Sequence, residues 1–489
     1  MMGTLVITGS ANTIDSTTGT ALEVTNTTIG AGGLTFRSIS SNGGTATGII
    51  LDTTGIQGGL TVTGAGTPGS GGTIAIKSGA DGVTTTGTGI SLNNTRNVSL
   101  AWMQLNDFQN FAIRGSNVAG FSLTSSVISG TNDGIDEGSI AFDNLLGSAT
   151  ITNSNIGGGL EDNFRVINTT GTLNRITFTN VTIGANSTGM GDNGILVEAQ
   201  ATAVVRVTVD EGTFTSTRGD HIQINALGTS NVDFVLTDSV FSNNHPNVAS
   251  GGGGIRFTMG AAGSSAAGTF TITGNTFRDS NGTTIGITEG LGNGSLSGTI
   301  SGNTIGMAGV GSSGSAAESG ISLIMSELGS LNVTVTNNTI REYANHGIIV
   351  QTGGTASAGN GSLTATIQAN TIHGPVTNAT APSSNGIHVN AETMPGGTYQ
   401  VCLVLGGSGA LANSIVGSGA DNGGLSGSDF RLQQRQNTTI RLPGYTGANN
   451  SEAAVVAFVQ GNNSSGGTPT GLASHTAGSG GGFVGGSCT

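Results

Sequence analysis

A short apolar alternation, written thirteen times, constrains this chain more than any other feature. The copies read "TGIILD", "TGISLN", "NFAIRG", "GSIAFD", "DNFRVIN", "NGILVE", "DHIQIN", "GGIRFT", "TTIGIT", "SGISLI", "HGIIVQ", "NGIHVN" and "SDFRLQ". The first and third positions stay apolar, as in Ile49/Leu51, Ile195/Val197 and Phe430/Leu432. The residue between them varies freely: Ser91, Arg114, Gln223, His388. One face held apolar at period two is the mark of a strand with a single buried face. A second motif precedes most copies: "FSLTSSVIS", "ATITNSNIG", "ITFTNVTIG", "FVLTDSVFS", "FTITGNTFR", "GTISGNTIG", "VTVTNNTIR", "ATIQANTIH". Copies recur about every 22–43 residues, the range of solenoid repeats. Such a unit is too small to bury its own apolar face, so each must lie on its neighbours. No heptad or i, i+3, i+4 pattern stands between the strands, so the coils are all-β.

This pattern resembles right-handed parallel β-helices of the pectin-lyase-like superfamily, over roughly residues 3–440. The composition also resembles the β-strand-repeat segments of large bacterial surface proteins. The resemblance implies an all-β fold with a single right-handed parallel β-helix of about 14 coils, a column roughly 65–70 Å long. The fold itself hosts lyases, hydrolases, adhesins and phage fibres, so it leaves function open. Asn12, Asn275, Asn303, Asn338, Asn370 and Asn413 share one position, "(G/N/A)NTI" or "ANSI". In β-helices of this kind an Asn at a tight bend stacks its amide on the next, and the resemblance implies a structural ladder here. Left-handed geometry, cheap for Asn, is expected at these residues.

Ser451 opens "SEAAVVAFVQ", with Ser as N-cap and Glu452 in the first turn. This is the one credible helix, and Val455, Val456, Phe458 and Val459 would cover the last coil. The expected domains are a β-helix over 1–440, a cap with a short helix over 441–461 and a loose Gly-rich tail over 462–489. Cys402 and Cys488, the only two cysteines, could pin that tail as a disulfide or stand as free thiols. The doubled Met at the start, and the lack of a cap before Thr4, suggest a segment of a longer protein.

Only 8% of residues are charged, against about 25% in a typical globular protein, and the net charge is −13. Lys77 is the only lysine. Nucleic-acid binding, which needs clustered Lys and Arg, is disfavoured. No apolar run reaches the ~18 residues that span a bilayer, so this segment is not expected to insert in a membrane.

The strongest chemical candidate is acidic. Just before the first motif, successive turns carry Asp136 and Glu137, Glu161 and Asp162, Asp192, and Asp220 with His221. Neighbouring coils stand about 4.8 Å apart, so these form a ladder whose like charges raise one another's pKa. Three readings fit. One is solvated acids at loop mouths, the preferred reading. A second is calcium, held by Asp136, Glu137, Glu161, Asp162 and Asp192 as oxygen ligands. The third is a polysaccharide lyase or glycoside hydrolase using Asp136, Asp162, Asp192, Asp220 and His221. Against the third, the aspartate tripeptide, His turn and Arg-x-Lys pair of polygalacturonases are not reproduced: "TND" has the wrong order, and Arg-x-Lys is missing. His245, His346, His373, His388 and His475 show no shared spacing and read as loop or surface residues. The expected function is therefore a non-catalytic structural or adhesive rod segment of a secreted or cell-surface bacterial protein. Its partners would be a surface glycan, a protein receptor or another copy of itself, with no cofactor unless calcium stiffens it.

Overall fold

The computed structural model describes residues 4–130, 134, 137–244, 252–353, 359–374, 384–391, 397–416, 418, 427–464, 468–478 and 480–488. The fold is a parallel β-helix, and among the described residues Glu452–Gly461 is its one α-helix. The chain forms two compact units, Met1–Ile222 and Gln223–Thr489.

In both units each coil contributes strands to three columns. The first column is the opening motif. In the first unit its inward residues pair Leu22, Ile49, Ile90, Ile113, Ile140, Phe164 and Ile195 in parallel register. In the second unit the same position runs Ile255, Ile285, Ile321, Ile348, Ile387 and Phe430. None of these is more than 9% exposed. Full burial of such a side chain stabilises by about 1.5–3 kcal/mol, so the stack is the principal source of cohesion.

The second motif is two strands, not one. In Ser330–Thr336 and Thr339–Ile340 the break falls at Asn337, at φ 58°. The same bend is made by Gly274 (φ 75°), Gly302 (φ 66°) and Ala369 (φ 57°). A left-handed residue turns the chain so that the third-column apolar residue again points inward. Fourteen third-column strands are formed among the described residues. Phe241 and Phe277 stack there at 4.6 Å, above Ile305, Ile340, Ile372 and Ile415.

The bend corrects the expected role of asparagine. The left-handed residue is the one before Asn275, Asn303, Asn338 and Asn370, while Ala412 before Asn413 is extended at φ −66°; the ladder side chain turns inward instead. Asn275, Asn303, Asn338, Asn370 and Asn413 are each at most 1% exposed. Each Oδ1 accepts the backbone N–H and the Nδ2 of the preceding coil's Asn: Asn275 to Asn303, Asn303 to Asn338, Asn338 to Asn370, Asn370 to Asn413, at 2.9–3.0 Å. Asn463 extends the ladder, accepting from Asn413 at 2.8 and 3.2 Å. In the first unit serine takes this place: Ser126 and Ser154 accept the N–H of Met103 and Ser126. Asn12 instead donates to nearby carbonyls of Thr8, Gly9 and Thr35.

The helix begins as expected, with Ser451 Oγ accepting from the Ala454 N–H. Val455 and Val459 are fully buried; Val456 and Phe458 are half-exposed, Phe458 against Tyr445. The segment expected to be loose adds another layer. Gly471–Ser474 pairs with Phe430–Gln434, and Gly482–Val484 with Thr439–Arg441. Glycine is required at 471 because a Cβ there would collide with the Phe430 ring. Cys402 and Cys488 form a disulfide across 86 residues and tie this last layer to Gln400–Leu405.

Candidate functional site

The acidic residues stand on consecutive coils, as their spacing requires. Glu161 N–H donates to Glu137 O, Asp192 N–H to Glu161 O, and Gly219 N–H to Asp192 O. Adjacent residues then diverge, because successive side chains of an extended segment point to opposite faces. Asp162, Asn193 and Asp220 form an inner file, 4%, 1% and 9% exposed. Asp162 Oδ1 accepts both the backbone N–H of Asn193 (3.0 Å) and its Nδ2 (3.2 Å). Asn193 Oδ1 in turn accepts the Asp220 N–H at 3.2 Å. This file repeats the logic of the asparagine ladder: a side-chain oxygen on one coil holds the backbone of the next.

Burial pushes the Asp162 carboxyl up to about 7, and the charge of Asp192 adds to the rise; the Asn193 bonds and Arg165 oppose it. Asp192 is exposed, yet crowding around its carboxyl still raises its pKa, against the pull of Arg218 and Asn193. His221 is fully buried, with Nδ1 2.7 Å from Thr217 Oγ1 and its ring edge toward Phe214. Burial lowers it to about 3, so it is neutral across the physiological range. Asp136 lies outside the described residues, as does His245.

Glu137 is 1% exposed and does different work. Its Oε1 accepts the Gly82 N–H at 2.8 Å and its Oε2 the Gly134 N–H at 2.9 Å. Asn110 Nδ2 donates to the carbonyls of Ala80, Val83 and Thr86 at 2.6–3.1 Å. Together they fasten the loop that carries Thr84 and Thr85.

Those threonines rim a groove of about 290 Å³ on the outward face of the first column. Two lanes make its floor. One runs Ile50, Ser91, Arg114; the other runs Asp52, Asn93, Ser116, Asp143. Arg114 pairs with Asp143, donates to Gly115 O at 2.7 Å and lies over the Phe111 ring. Asn93 Nδ2 donates to Asp52 Oδ1 at 2.8 Å. Asp52 and Asp143 are three ladder steps apart, about 14 Å at ~4.8 Å per step. Paired glycosidase carboxyls stand at about 5–9.5 Å. The motif reading named the residues between apolar pairs as variable; it did not show that a fastened loop turns their lane into a groove.

In the second unit His346 and His388, expected in loops or at the surface, are buried in strands and joined to each other. Asn385 N–H donates to His346 Nδ1 at 3.2 Å. That bond makes His346 Nδ1 an acceptor, so its Nε2 carries the proton and donates to His388 Nδ1 at 2.9 Å. His388 Nε2 then donates to Gln433 Oε1 at 3.0 Å. Burial is the largest cause of lowering at both rings, to about 3 for His346, with Arg431 contributing. The signal was available: "HGIIVQ" and "NGIHVN" are consecutive coils, and the period places the rings side by side.

Compared with protein-family models, curated proteins and solved structures, the chain matches none. Its chemistry is therefore read from its own geometry. Among the described residues no group of three or more His, Cys, Asp or Glu side chains could hold a metal ion. Of the acids named for calcium, Glu137 directs both oxygens at amides and Asp162 directs Oδ1 at Asn193.

Proposed function

We propose that this chain is a non-catalytic structural and adhesive segment of a secreted or cell-surface bacterial protein, with a coil plan like that of pectin-lyase-like helices. The observation that carries the reading is the use made of the Asp162–Asn193–Asp220 file. All three residues are under 10% exposed, and the Asp162 carboxyl and Asn193 amide oxygens each hold the backbone N–H of the next coil, at Asn193 and Asp220. A glycosidase needs its two carboxyls facing an open cleft on either side of a sugar bond. The outward groove offers hydroxyls, amides and a locked Arg114–Asp143 pair, a surface suited to recognition. A surface glycan or a protein receptor is the partner, and self-association of copies is a linked part of the proposal.

The test is reducing-end release and unsaturated-product formation from a panel of neutral and acidic polysaccharides. The proposal expects neither. Activity that disappears in Asp192→Asn or Asp220→Asn would replace it with the lyase or hydrolase reading. A melting point raised by calcium and lowered by chelator would support the calcium-stiffened module instead. Sedimentation at high concentration that shows only monomers would remove self-association.

A further inference from the structure

The loop that carries Thr84 and Thr85 rims the outward groove of the first unit, and it is tied on two sides. Glu137 and Asn110 hold it on one. On the other, Ala46 and Thr86 form an antiparallel bridge, and Thr47 Oγ1 donates to Thr85 O at 2.9 Å. A groove fixed in this way loses little freedom when something enters it.

The atoms left open in the groove define what can enter. Asp52 Oδ1 accepts from Asn93 Nδ2 at 2.8 Å and from Thr53 Oγ1 at 2.9 Å; its Oδ2 accepts from nothing among the described residues. Asn93 Oδ1 and the Ser91 hydroxyl have no partner among them either, and all three side chains are half-buried, within reach of solvent. Asp52 is in register with Asn93, and Ile50 with Ser91, so three polar groups and one apolar side chain share an outward patch. Arg114 is engaged elsewhere: it pairs with Asp143 and donates to Gly115 O at 2.7 Å and Ala141 O at 3.4 Å. The patch has a surplus of acceptors and of negative charge, on a chain whose net charge is −13. Complementary potential calls for a cation.

Cations differ in what they need. A divalent ion gathers several oxygen ligands at once, yet Asp52 and Asp143 stand about 14 Å apart on the strand ladder. A guanidinium takes both oxygens of one carboxylate in its fork. Asp52 and Asp143 each have one oxygen already engaged. An ammonium is a compact charge with three donors. Asp52 Oδ2, Asn93 Oδ1 and Ser91 Oγ supply three acceptors, and Ile50 supplies an apolar surface for an alkyl stem.

We propose that this groove binds a lysine side chain of a protein partner, with its ammonium at Asp52, Asn93 and Ser91 and its methylenes on Ile50. The inference rests on the adhesive reading and supplies it with a partner class. The contact is open to solvent and screened by salt, so a single lysine binds weakly.

The experiment is saturation-transfer difference NMR on the full chain, with acetyl-Gly-Lys-Gly-amide as the probe. Its norleucine and arginine counterparts remove the charge and change its shape; glucosamine carries the ammonium on a sugar. Asp52→Asn removes the charge while keeping an acceptor for Asn93, and Thr84→Glu adds a charge on the exposed rim. The expected result is binding of the lysine peptide that weakens with added salt, and at least tenfold weaker binding of both counterparts. Asp52→Asn should weaken lysine binding at least tenfold at an unchanged melting point, and Thr84→Glu should tighten it at least twofold. Equal binding of the norleucine peptide overturns the ammonium site, and equal or tighter binding of the arginine peptide overturns the choice of lysine. Glucosamine binding without lysine binding overturns the protein partner in favour of an amino sugar. Lysine binding that survives Asp52→Asn and ignores Thr84→Glu places the contact elsewhere and overturns the groove. No binding of any probe to the wild type also overturns it, whereas the adhesive reading falls only to the polysaccharide-cleavage assay.

Discussion

At the residue scale, the groups that look chemical are mostly holding backbone. Asn338 shows the cost of removing one. Its Oδ1 accepts twice from Asn303, and its Nδ2 reaches Ile300 O and Asn370 Oδ1 at 2.9 Å. Asn338→Ala leaves the Asn303 backbone N–H buried and unpaired and its Nδ2 with Ile272 O alone, so about 3 kcal/mol of stability should disappear in urea denaturation. Ile76 is the opposite case. It is β-branched, 59% exposed and held at φ 53°, beside the buried Lys77 that bonds to Ser41 and Gly43. Ile76→Asn relieves a left-handed strain and should gain about 1 kcal/mol by the same measurement.

Titration separates the buried acids from the buried histidines. Asp162 and Glu289 are raised to about 7 and 8, Glu289 chiefly by burial with Glu327 adding and the Gly294 amide opposing. A carboxyl raised in the folded state favours folding fully below its unfolded pKa, and that contribution is lost as pH rises through the folded value. His221 and His346, lowered to about 3, do the reverse: their contribution is lost as pH falls below about 6.5. Between about pH 6.5 and 8 only the acids of this set titrate, so stability should fall as pH rises there. Glu289→Gln should flatten that slope in denaturation curves taken across the interval; an unchanged slope would rule out Glu289 as its source.

At the element scale, what was legible and what was not follow one rule. Apolar parity is written in every strand, so the first-column register and the inward Ile and Phe files could be read directly. The third column is hidden inside "VTVTNNTIR" because the bend residue is Gly, Asn, Ser, Asp or Ala in different coils. Asp162 and Asp192 could not be sorted into buried and exposed from spacing, since the turn before each strand sets which way they point. Loop fastening by Glu137 was equally hidden, as its partners lie 55 residues upstream at Gly82 and on the approach at Gly134. The last layer is concealed by composition: Gly471 and Gly482 look like filler, yet close packing demands their small size. The Cys402–Cys488 bond holds that layer, and closing an 86-residue loop contributes about 4.6 kcal/mol in the chain-entropy model. Reduction should lower stability by up to that amount and release amide protection in Gly482–Val484 before Gln400–Leu405.

At the scale of the whole molecule, low charge and high glycine content make sense together. Coils packed a strand-spacing apart leave little room for side chains at their bends and place like charges close to one another. Stability in such an arrangement is a sum over neighbours: no coil carries its own core, and damage to one must reach those on either side. The most direct test is hydrogen–deuterium exchange of Asn338→Ala against the wild type. The neighbour-dependent account expects protection to fall at Asn303–Ile305 on one side and at Thr371–Ile372 on the other, as well as at Thr339–Ile340. Faster exchange confined to Thr339–Ile340, with both flanking strands unchanged, would contradict it.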